Sequence, residues 1–405
     1  MKIWMIGARG TIATATAVGT VAAQKELLPL EGVITTRPPF DTLPGLPPVE
    51  EIAFGGCDIR AGTVAEAAAD SASTRAVFAP SVLEGVLPVL RQAPLTVGIL
   101  RRAGAAVEAL GGAESLELFQ ESARDAIARV TADLERFADG EQTVVVNVAS
   151  TEPLCDPSLF EWSLARFERG IEEDDPRIPA STLYAYAALS LGMPYVNFTP
   201  STGASLPALV EMAQTRGLPV AGRDGKTGET LVKTTLAPMF AIRGLKVEGW
   251  YGTNILGNTD GQVLSYAENA ASKVASKQGV LERCLGYSPA GDVRIDYFPP
   301  LADHKVAWDF IQFRGWGGHR MRMQFTWEGT DAVLAAPLVL DLARLITVAK
   351  HRGEAGQIAA LAAFFKTPEG TEEMNLHRQY DALLEWAAKD TGGRRGTLRA
   401  AGGGS

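Results

Sequence analysis

The chain has 405 residues, of which 46% are hydrophobic and 21% are charged, a balance typical of a globular protein with a large core. Its net charge of −9 at neutral pH argues against nucleic acid as a partner. Three widely spaced cysteines argue against a disulfide framework and indicate a reducing compartment. Because no signal-peptide pattern is present and no apolar run matches a membrane span, we predict a cytoplasmic protein with no membrane partner.

The N-terminus has the pattern of a nucleotide-binding unit. A short apolar strand over residues 2–6 ends at Gly7, and Gly10 and a run of small, helix-compatible residues follow. Strand, glycine turn and helix open a dinucleotide-binding fold, in which the backbone approaches a pyrophosphate at the helix N-terminus. Arg9 stands at the second glycine position of the usual fingerprint, and it is itself a candidate for binding phosphate.

The next two segments are less regular. Residues 30–36 are apolar and predict a second strand. This segment ends in Thr35, Thr36 and Arg37, where NAD enzymes usually place an acid for the ribose. The missing acid weakens the case for NAD that the first turn makes. Residues 38–48 are rich in proline, which predicts an irregular connection.

The middle of the chain alternates between helical and strand patterns. Residues 114–137 predict one long amphipathic helix, and residues 142–148 predict a buried parallel strand. Residues 149–153 follow at the carboxyl end of that strand, where doubly wound sheets bind ligands. A helix at 181–191 and a strand at 194–198 continue the alternation, which predicts a doubly wound parallel sheet.

The pattern changes near the middle of the second half. Segments 246–251, 293–298 and 320–325 alternate in polarity and predict a second, mostly antiparallel sheet that is half exposed to a partner subunit. Helical patterns return at 331–350 and 357–366. A second type of unit therefore interrupts the first.

Two segments carry candidate chemistry. Residues 222–230 combine glycines, hydroxyls and a lysine ahead of a helical run, which suits an anion-binding loop, although a polar structural turn is the alternative. On a helix, Lys273 and Lys277 share a face, and two ammonium groups that close repel each other, so each releases its proton more readily. Such lysines can act as acid or base near neutral pH, whereas a solvated helix face is the alternative.

Seven motifs, in the same order along the chain, resemble the myo-inositol-1-phosphate synthase (inositol-3-phosphate synthase) family in its short, archaeal-type form. They are GARGTIATAT, GRDGKTGETLVKTTLAPMF, YGTNILGNTDG, SKVASK, YFPPLADHKVAWDF, GTDAVLAAPLVLD and FFKTP. The resemblance implies an α/β protein in which an α+β catalytic and tetramerisation domain interrupts a Rossmann-like doubly wound sheet. The implied parts are 1–226 (first part of the NAD-binding domain), 227–332 (catalytic and tetramerisation domain), 333–391 (helices returning to the first domain) and 392–405 (disordered tail).

The resemblance also implies a reaction. Members of the family convert D-glucose 6-phosphate to 1L-myo-inositol 1-phosphate by oxidation at C5, enolisation, aldol closure from C6 to C1 and re-reduction. NAD is used and regenerated in each turnover, and the assembly is a homotetramer. The resemblance leaves open whether a monovalent or divalent cation takes part, and no metal-ligating residue is assigned.

The site residues follow from the family motifs, position by position. The catalytic residues are Lys273, Lys277, Lys305, Lys366 and Asp331. The cofactor-binding residues are Gly7, Arg9, Gly10, Thr11, Ile12, Asp58, Thr199, Ser201, Gly203 and Asp224. The substrate-binding residues are Thr227, Gly228, Glu229, Thr230, Asn254 and Leu256.

One departure and three alternatives accompany the resemblance. Glu229 stands where many members carry glutamine, so we expect the substrate phosphate to meet backbone N–H groups there rather than the carboxylate. The alternatives are an NAD(P)-dependent dehydrogenase that releases NADH, a relative that acts on another sugar phosphate, and a catalytically silent NAD-binding protein. The presence of all four lysines favours an active synthase over the last of these.

Overall fold

A seven-stranded parallel sheet carries the first half of the protein in this computed structural model, which describes residues 1–70, 77–264 and 279–389. Its strands are β1 (Lys2–Ile6), β2 (Ala53–Asp58), β3 (Leu95–Val97), β4 (Thr143–Asn147), β5 (Tyr195–Asn197), β6 (Pro219–Gly222) and β11 (Gly356–Gln357). The spatial order is β11-β6-β5-β4-β1-β2-β3, so the winding reverses between β1 and β4. Sheets of this kind bind ligands at the carboxyl ends of the strands beside that reversal. The predicted Rossmann-like sheet is confirmed.

Helices cover both faces of this sheet because its central strands are apolar on both faces. In β1, Ile3 and Met5 pack into one core, and Trp4 and Ile6 pack into the other. The helices in the described residues are α1 (Thr11–Gln24), α2 (Val64–Asp70), α3 (Pro80–Leu90), α4 (Ala105–Glu108), α5 (Ala113–Glu117), α6 (Ala123–Ala138), α7 (Leu164–Glu172), α8 (Ala180–Ser190), α9 (Pro207–Thr215), α10 (Gly228–Ile242), α11 (Thr259–Leu264), α12 (Val280–Leu285), α13 (Asp331–His351) and α14 (Leu376–Ala388). Helices α1, α2, α3 and α13 pack on the first face, and α6 to α9 pack on the second.

A second, four-stranded sheet follows α10, as the change in pattern predicted. Its strands are β7 (Lys246–Leu256), β8 (Val293–Tyr297), β9 (His304–Arg314) and β10 (Arg320–Thr330), in the order β10-β9-β7-β8. Strands β10, β9 and β7 pair antiparallel, whereas β8 pairs parallel with β7. Phe240 of α10 packs against Trp250 and Phe313 to form a small separate core.

Helix α13 connects the two sheets. It begins at Asp331, directly after β10, and packs along α1 on the first sheet. After this helix, β11 adds a seventh parallel strand beside β6. The chain therefore leaves the first sheet, builds the second and returns, which places the polar edge of the first sheet against the start of β9 and α13.

Three predicted elements differ from the structure. Residues 30–36 form a turn and a 3₁₀ segment, Ile34–Thr36, because the backbone N–H groups of Ile34 and Thr35 donate to the Asp341 carboxylate of α13 at 3.0 and 2.9 Å instead of joining a sheet. Residues 357–366 are helical only in part, and the helix is of the 3₁₀ type. They contain the end of β11 and the 3₁₀ segment Ala359–Phe364, because backbone pairing with β6 fixes their start.

The long helix predicted over 114–137 is divided in two. Helix α5 passes into the 3₁₀ segment Leu118–Gln120, and α6 begins after Ser122. The Ser122 hydroxyl accepts a hydrogen bond from the backbone N–H of Asp125 at 3.1 Å, which caps the second helix. The serine cap therefore starts a new helix inside a continuous helical pattern. The remaining 3₁₀ segments are Phe40–Thr42, Val49–Glu51, Pro157–Glu161, Gly203–Ser205, Pro299–Leu301 and Trp316–Gly318.

Helix α13 also corrects the expectation that no apolar run matches a membrane span. Among the described residues, it is the one helix that is long and apolar enough to cross a bilayer by length and composition. However, 72% of its most apolar window is buried inside the protein. Its apolar composition is explained by its position in the core between α1 and the first sheet.

Candidate active site

The first feature of the site is the glycine turn between β1 and α1. Gly7 has a φ of +82°, and a Cβ atom at this position would lie 2.7 Å from the Ala149 Cα atom of the neighbouring loop. Gly10 donates its N–H to the Gly7 carbonyl at 2.9 Å and is the N-cap of α1, with no side chain capping the helix. The first backbone N–H groups of α1, from Thr11 and Ile12 onward, thus face the cleft with no internal helix partner. This is a cradle for a pyrophosphate.

The sheet does carry an acidic residue, Asp58, at the end of its second strand. The second strand of the sheet is β2, not residues 30–36, and Asp58 lies at its carboxyl end. The Asp58 carboxylate accepts hydrogen bonds from the backbone N–H groups of Arg9 at 2.8 Å and Arg60 at 2.9 Å, and it pairs with the Arg60 guanidinium at 3.1 Å. The position is the one where dinucleotide-binding sheets hold the adenosine ribose.

The other walls of the cleft come from the loops that follow β4 and β5. Residues 149–152, which the sequence placed at a ligand-binding edge, line it, as do Thr199 and Ser201. The cleft encloses about 1570 Å³ of space, including its open mouth. Arg9 and Gly203 are not among its lining residues. They support it instead: the backbone N–H of Gly203 donates to Ser181 Oγ at 3.0 Å.

A buried glutamate supports this wall and was not singled out from the sequence. Glu152 accepts a hydrogen bond from the backbone N–H of Ser181 at 2.8 Å and another from the Ser181 hydroxyl. Burial raises the pKa of Glu152 to about 7, although the hydrogen bonds from Ser181 act in the opposite direction. Its own backbone N–H donates to Ser201 Oγ at 3.0 Å, so Glu152 connects two lining loops.

Lys366 and Asp224 form a buried ion pair at the inner end of the cleft. Lys366 Nζ lies 2.9 Å from Asp224 Oδ1, and Lys366 is 8% exposed. The two segments also pair through their backbones, because the Lys366 N–H donates to the Asp224 carbonyl at 2.6 Å and Gly225 bridges to Phe365. Asp224 itself has a φ of +62°. The pair is therefore held by the main chain on both sides.

Lys305 and Asp331 form a second pair nearby. Lys305 Nζ lies 2.9 Å from Asp331 Oδ2, with Lys305 at the start of β9 and Asp331 at the start of α13. Both residues line a small cavity between the two sheets. Its walls are Thr227, Glu229, Thr230, Asn254, Leu256, Leu264, Ile295, Lys305, Asp331 and Lys366. Three of these residues, Thr227, Asp331 and Lys366, also line the large cleft, so the two spaces adjoin.

The start of α10 faces this small cavity. A Cβ atom on Gly228 would lie 3.4 Å from Lys305 Nζ, so the first turn of α10 and the Lys305 ammonium lie side by side. Thr227 is the N-cap residue of α10, and no side chain caps the helix. A helix N-terminus beside an ammonium group is suited to binding a phosphate.

Glu229 and one of its partners, Asn254, line the cavity, whereas its other partner, Lys233, does not. Glu229 is 2% exposed, and its carboxylate accepts hydrogen bonds from Lys233 Nζ and Asn254 Nδ2, both at 2.5 Å. Lys233 was not found from the sequence, although the four-residue spacing from Glu229 on α10 was a visible signal. Lys226, in the same motif, points elsewhere: it is 2% exposed, its Nζ donates to Gln379, and burial lowers its pKa to about 7.

Two predicted catalytic lysines and the question of a metal site are the last points of the comparison between the sequence and the structure. Lys273 and Lys277 lie outside the described residues, as do residues 392–405. Within 1–70, 77–264 and 279–389, no three His, Cys, Asp or Glu side chains cluster so that they could hold a metal ion. Apart from Lys273 and Lys277, every predicted catalytic and substrate residue lies at the small cavity, except that Gly228 reaches it only through Lys305.

The fold and the cleft define a dinucleotide-binding enzyme of the Rossmann-like class, with a charged cavity at the inner end of its cofactor site. Comparison with known proteins gives the family. The sequence model described as "Myo-inositol-1-phosphate synthase", an NAD-binding family, matches residues 30–387. The chain belongs to the myo-inositol-1-phosphate synthase family, which confirms the resemblance seen in the motifs.

Individual relatives agree with this assignment. The chain is 32% identical over 412 aligned positions to inositol-3-phosphate synthase 1 of Bacteroides thetaiotaomicron, covering 95% of this chain and 93% of the relative. It is 26% identical to inositol-3-phosphate synthase isozyme 2 of Arabidopsis thaliana, covering 86% of this chain and 72% of that one. The crystal structure of inositol-3-phosphate synthase from Caenorhabditis elegans superposes with a TM-score of 0.83 at 23% identity, covering 99% of this chain and 89% of that one, which supports the fold.

Proposed function

We propose that this protein converts D-glucose 6-phosphate to 1L-myo-inositol 1-phosphate, with NAD bound in the large cleft and regenerated in each turnover. The observation that carries the proposal is the meeting of two lysine–aspartate pairs, Lys366–Asp224 and Lys305–Asp331, at the inner end of a dinucleotide cleft. Membership of an NAD-binding synthase family supplies the reaction class. The glycine turn at Gly7, which has no room for a Cβ atom, supports the fit of the cofactor.

The chemistry explains why ammonium groups are needed. The sugar is oxidised at C5, deprotonated at C6, closed by an aldol reaction onto C1 and reduced again at C5. Each of these steps places negative charge on an oxygen atom, first on O5, then on the enolate and then on O1. Fixed cations stabilise such charge where it develops. NAD, when bound, supplies the hydride acceptor and the hydride donor.

Lys366 is the proposed group at O5. It lies where the cofactor cleft meets the small cavity, and Asp224 holds its ammonium group in place through a 2.9 Å contact. In this role Lys366 acts as a neutral amine that takes the proton from the C5 hydroxyl during oxidation. The ammonium group formed in this way is held by Asp224 and returns the proton during reduction. We propose that Lys273 assists at the same oxygen during enolisation.

Lys305 is the proposed group at the phosphate end of the substrate. Its ammonium lies beside the N-terminal turn of α10, so residues 227–230 and Lys305 together form the phosphate site. Asp331 positions Lys305, and Lys277 is proposed to act with it at O1. The substrate phosphate itself is the proposed base at C6. Because the Glu229 carboxylate is already engaged by Lys233 and Asn254, backbone N–H groups are the proposed phosphate contacts there.

The domain division is also a proposal. We place the first part of the NAD-binding domain at 1–226, the catalytic and tetramerisation domain at 227–332, and the returning helices at 333–391. The second sheet falls inside 227–332 and β11 inside 333–391, which supports this division.

A homotetramer is the proposed assembly. One face of the second sheet carries partly exposed apolar side chains, which support burial against other subunits. They are Tyr251, Ile255, Val306, Trp308 and Phe310. We further propose a cytoplasmic location and a monovalent or divalent cation as an accessory. Light scattering after size exclusion should give four times the mass of one chain, and dialysis against a chelator followed by sodium, potassium or magnesium replacement tests the cation.

The test of the function is incubation of the purified protein with glucose 6-phosphate and NAD. We expect inositol phosphate to form while NADH, followed by its absorbance, does not accumulate. Stoichiometric NADH without a cyclic product would show a dehydrogenase instead. Turnover of a different hexose or pentose phosphate, with glucose 6-phosphate inert, would show a relative with another substrate. If none of these sugar phosphates gave a product, the protein would be a catalytically silent NAD-binding protein.

A further inference from the structure

Glu229 is a buried charged residue that the proposed chemical steps do not use, although it lies beside the small cavity. Its Oε1 accepts from Lys233 Nζ, and its Oε2 accepts from Asn254 Nδ2, both at 2.5 Å. Lys233 lies one helical turn further along α10, and its side chain is 6% exposed. A carboxylate with a fixed partner on each oxygen is suited to orienting those partners.

Asn254 is the partner that faces the cavity. An asparagine amide has a donating NH₂ group and an accepting oxygen. Since the NH₂ group donates to Glu229, the oxygen Oδ1 is the atom that remains for another molecule. Among the described residues, Asn254 Oδ1 is buried and has no hydrogen-bond partner, and Asn254 lines the small cavity with Lys305 and Lys366. A buried acceptor without a donor is costly, so this oxygen points to a ligand that donates.

We infer that Glu229 and Lys233 are positioning residues, which hold the Asn254 amide so that its oxygen accepts a hydrogen bond from one hydroxyl group of the sugar phosphate. The inference rests on the proposed function. A phosphate dianion only accepts hydrogen bonds, so Asn254 Oδ1 faces the polyol part of the substrate and not its phosphate. Asn254 thereby selects for the presence of a hydroxyl group at one carbon of the sugar.

The acid at position 229 matters for this selection. An ionised carboxylate only accepts, so it allows the Asn254 amide one orientation. A glutamine there can also donate, and beside the Lys233 ammonium its own oxygen would turn to the lysine. Its NH₂ group would then face Asn254, which would flip and present a donor to the cavity. Lys233 therefore decides which way a glutamine at this position would turn.

The test compares Glu229→Gln, Lys233→Met and the double variant with the unaltered protein, each loaded with NAD. We expect Glu229→Gln to raise KM for glucose 6-phosphate by about tenfold or more, since a buried polar group then lacks its partner, with less than about a twofold change in NAD affinity. In the double variant, the glutamine oxygen has no ammonium to meet and accepts from Asn254 again. We expect the double variant to recover most of the lost affinity, although each single variant is impaired.

Selectivity among the hydroxyl groups of the sugar is the measurement that distinguishes positioning of Asn254 from a purely structural role of Glu229. Inhibition constants are measured for the 2-, 3- and 4-deoxy forms of glucose 6-phosphate. In the unaltered protein, we expect one of the three to bind at least about tenfold more weakly than the others, because it leaves Asn254 Oδ1 without a donor. In Glu229→Gln that difference should collapse, and in the double variant it should return.

A matched control and a second variant complete the experiment. Arg136→Gln breaks the ion pair of the exposed Arg136 with Asp133 on α6, which lines neither the cleft nor the cavity, and should change neither KM nor selectivity. If Glu229→Gln does not fold, Asn254→Leu removes the same oxygen and should abolish the same selectivity. Unchanged selectivity in a folded variant overturns the inference while leaving the synthase function intact. Failure of the unaltered protein to make inositol phosphate overturns the proposed function instead, and the deoxy-sugar inhibition can still be measured.

Discussion

The dinucleotide cleft and the small cavity beside it are built in different ways. The cleft is formed by backbone turns at the ends of neighbouring strands, with Gly7 and Gly10 within four residues of each other. The cavity takes its charged side chains from distant parts of the chain, such as Glu229, Lys305 and Lys366. A local motif is enough to recognise the first kind of site. The second kind exists only in the folded protein.

The two regions also differ in how they handle charge. The glycine turn offers neutral backbone N–H groups to an anion. The cavity contains lysines that are kept in place by aspartates and are largely removed from water. Removing one member of such a pair leaves its partner as an uncompensated buried charge, so we expect changes in the cavity to lower stability as well as catalysis. Changes in the turn should affect cofactor binding.

The largest effect is expected from Lys366→Ala. Loss of the ammonium group that faces the developing charge at O5 should lower kcat by about 10³-fold, whereas NAD affinity should change little. Steady-state kinetics with fluorescence titration of NAD separates the two. Lys350→Ala is the control, since Lys350 is a half-buried lysine of α13 that donates to the Gly192 carbonyl at 2.8 Å, away from both spaces. Normal turnover by the Lys366 variant would show that the ammonium groups of the cavity are not needed for the chemistry, contrary to the proposed roles of cleft and cavity.

A smaller effect is expected from Lys305→Met. Without this ammonium group, the phosphate keeps the N-terminal turn of α10 but loses its neighbouring cation, so kcat/KM should fall by about 10²-fold, mostly through KM. Asp331→Asn keeps the lysine and removes the carboxylate that holds it, and it should cost less. The comparison needs only initial rates at varied glucose 6-phosphate. If kcat/KM fell by the same factor through kcat alone, with KM unchanged, Lys305 would not be the group that binds the phosphate.

Gly7→Ala tests the turn itself. The added methyl group would lie 2.7 Å from the Ala149 backbone, so we expect NAD binding to weaken by at least about tenfold through displacement of the loop. Gly140→Ala is the matched control, because Gly140 has a similar φ of +76° but nothing within 4 Å of an added Cβ. Calorimetric titration with NAD should distinguish the two variants. Equal affinity in both would show that close approach at Gly7 is unimportant.

The smallest effect concerns the pH dependence of stability. Burial raises the pKa of Glu152 from an ordinary value of 4.5 to about 7, so between these values the folded protein holds a proton that the unfolded chain releases. Stability should therefore be lost as pH rises through this window, by up to about 3 kcal/mol. Glu152→Gln should remove this loss. Urea unfolding of the cofactor-free protein at several pH values measures it, and Glu135→Gln, an exposed change on α6, should behave like the unaltered protein.

Local patterns predicted the elements that local physics determines. Strand β1, its glycine turn and α1 lie where the sequence placed them, because apolar runs and glycine geometry act within a few residues. Residues 30–36 were misread because Asp341, more than three hundred positions away, takes their N–H groups. That error hid the position of Asp58, which ends the true second strand. Only the resemblance to a family assigned Asp58 to the adenosine side, and that role stays a prediction.

The same limit applies to the cavity. No spacing in the sequence brings Asp224 to Lys366 or Lys305 to Asp331, and these residues were assigned from family motifs alone. Glu229 and Lys233 show the opposite case. Their spacing on one helix could have predicted the ion pair, but not that Asn254 of another element would join it. Helical contacts can be read from the chain, whereas contacts between elements need the fold.

The return of the chain to its first sheet has a consequence for how the protein is made. Strands β1 to β6 leave the ribosome before two later elements have been synthesised. These are α13, which covers α1, and β11, which completes the sheet. At ordinary elongation rates the gap of roughly a hundred residues lasts on the order of 5–20 s. During that time the apolar face of α1 that α13 covers in the folded enzyme stays exposed on the nascent chain.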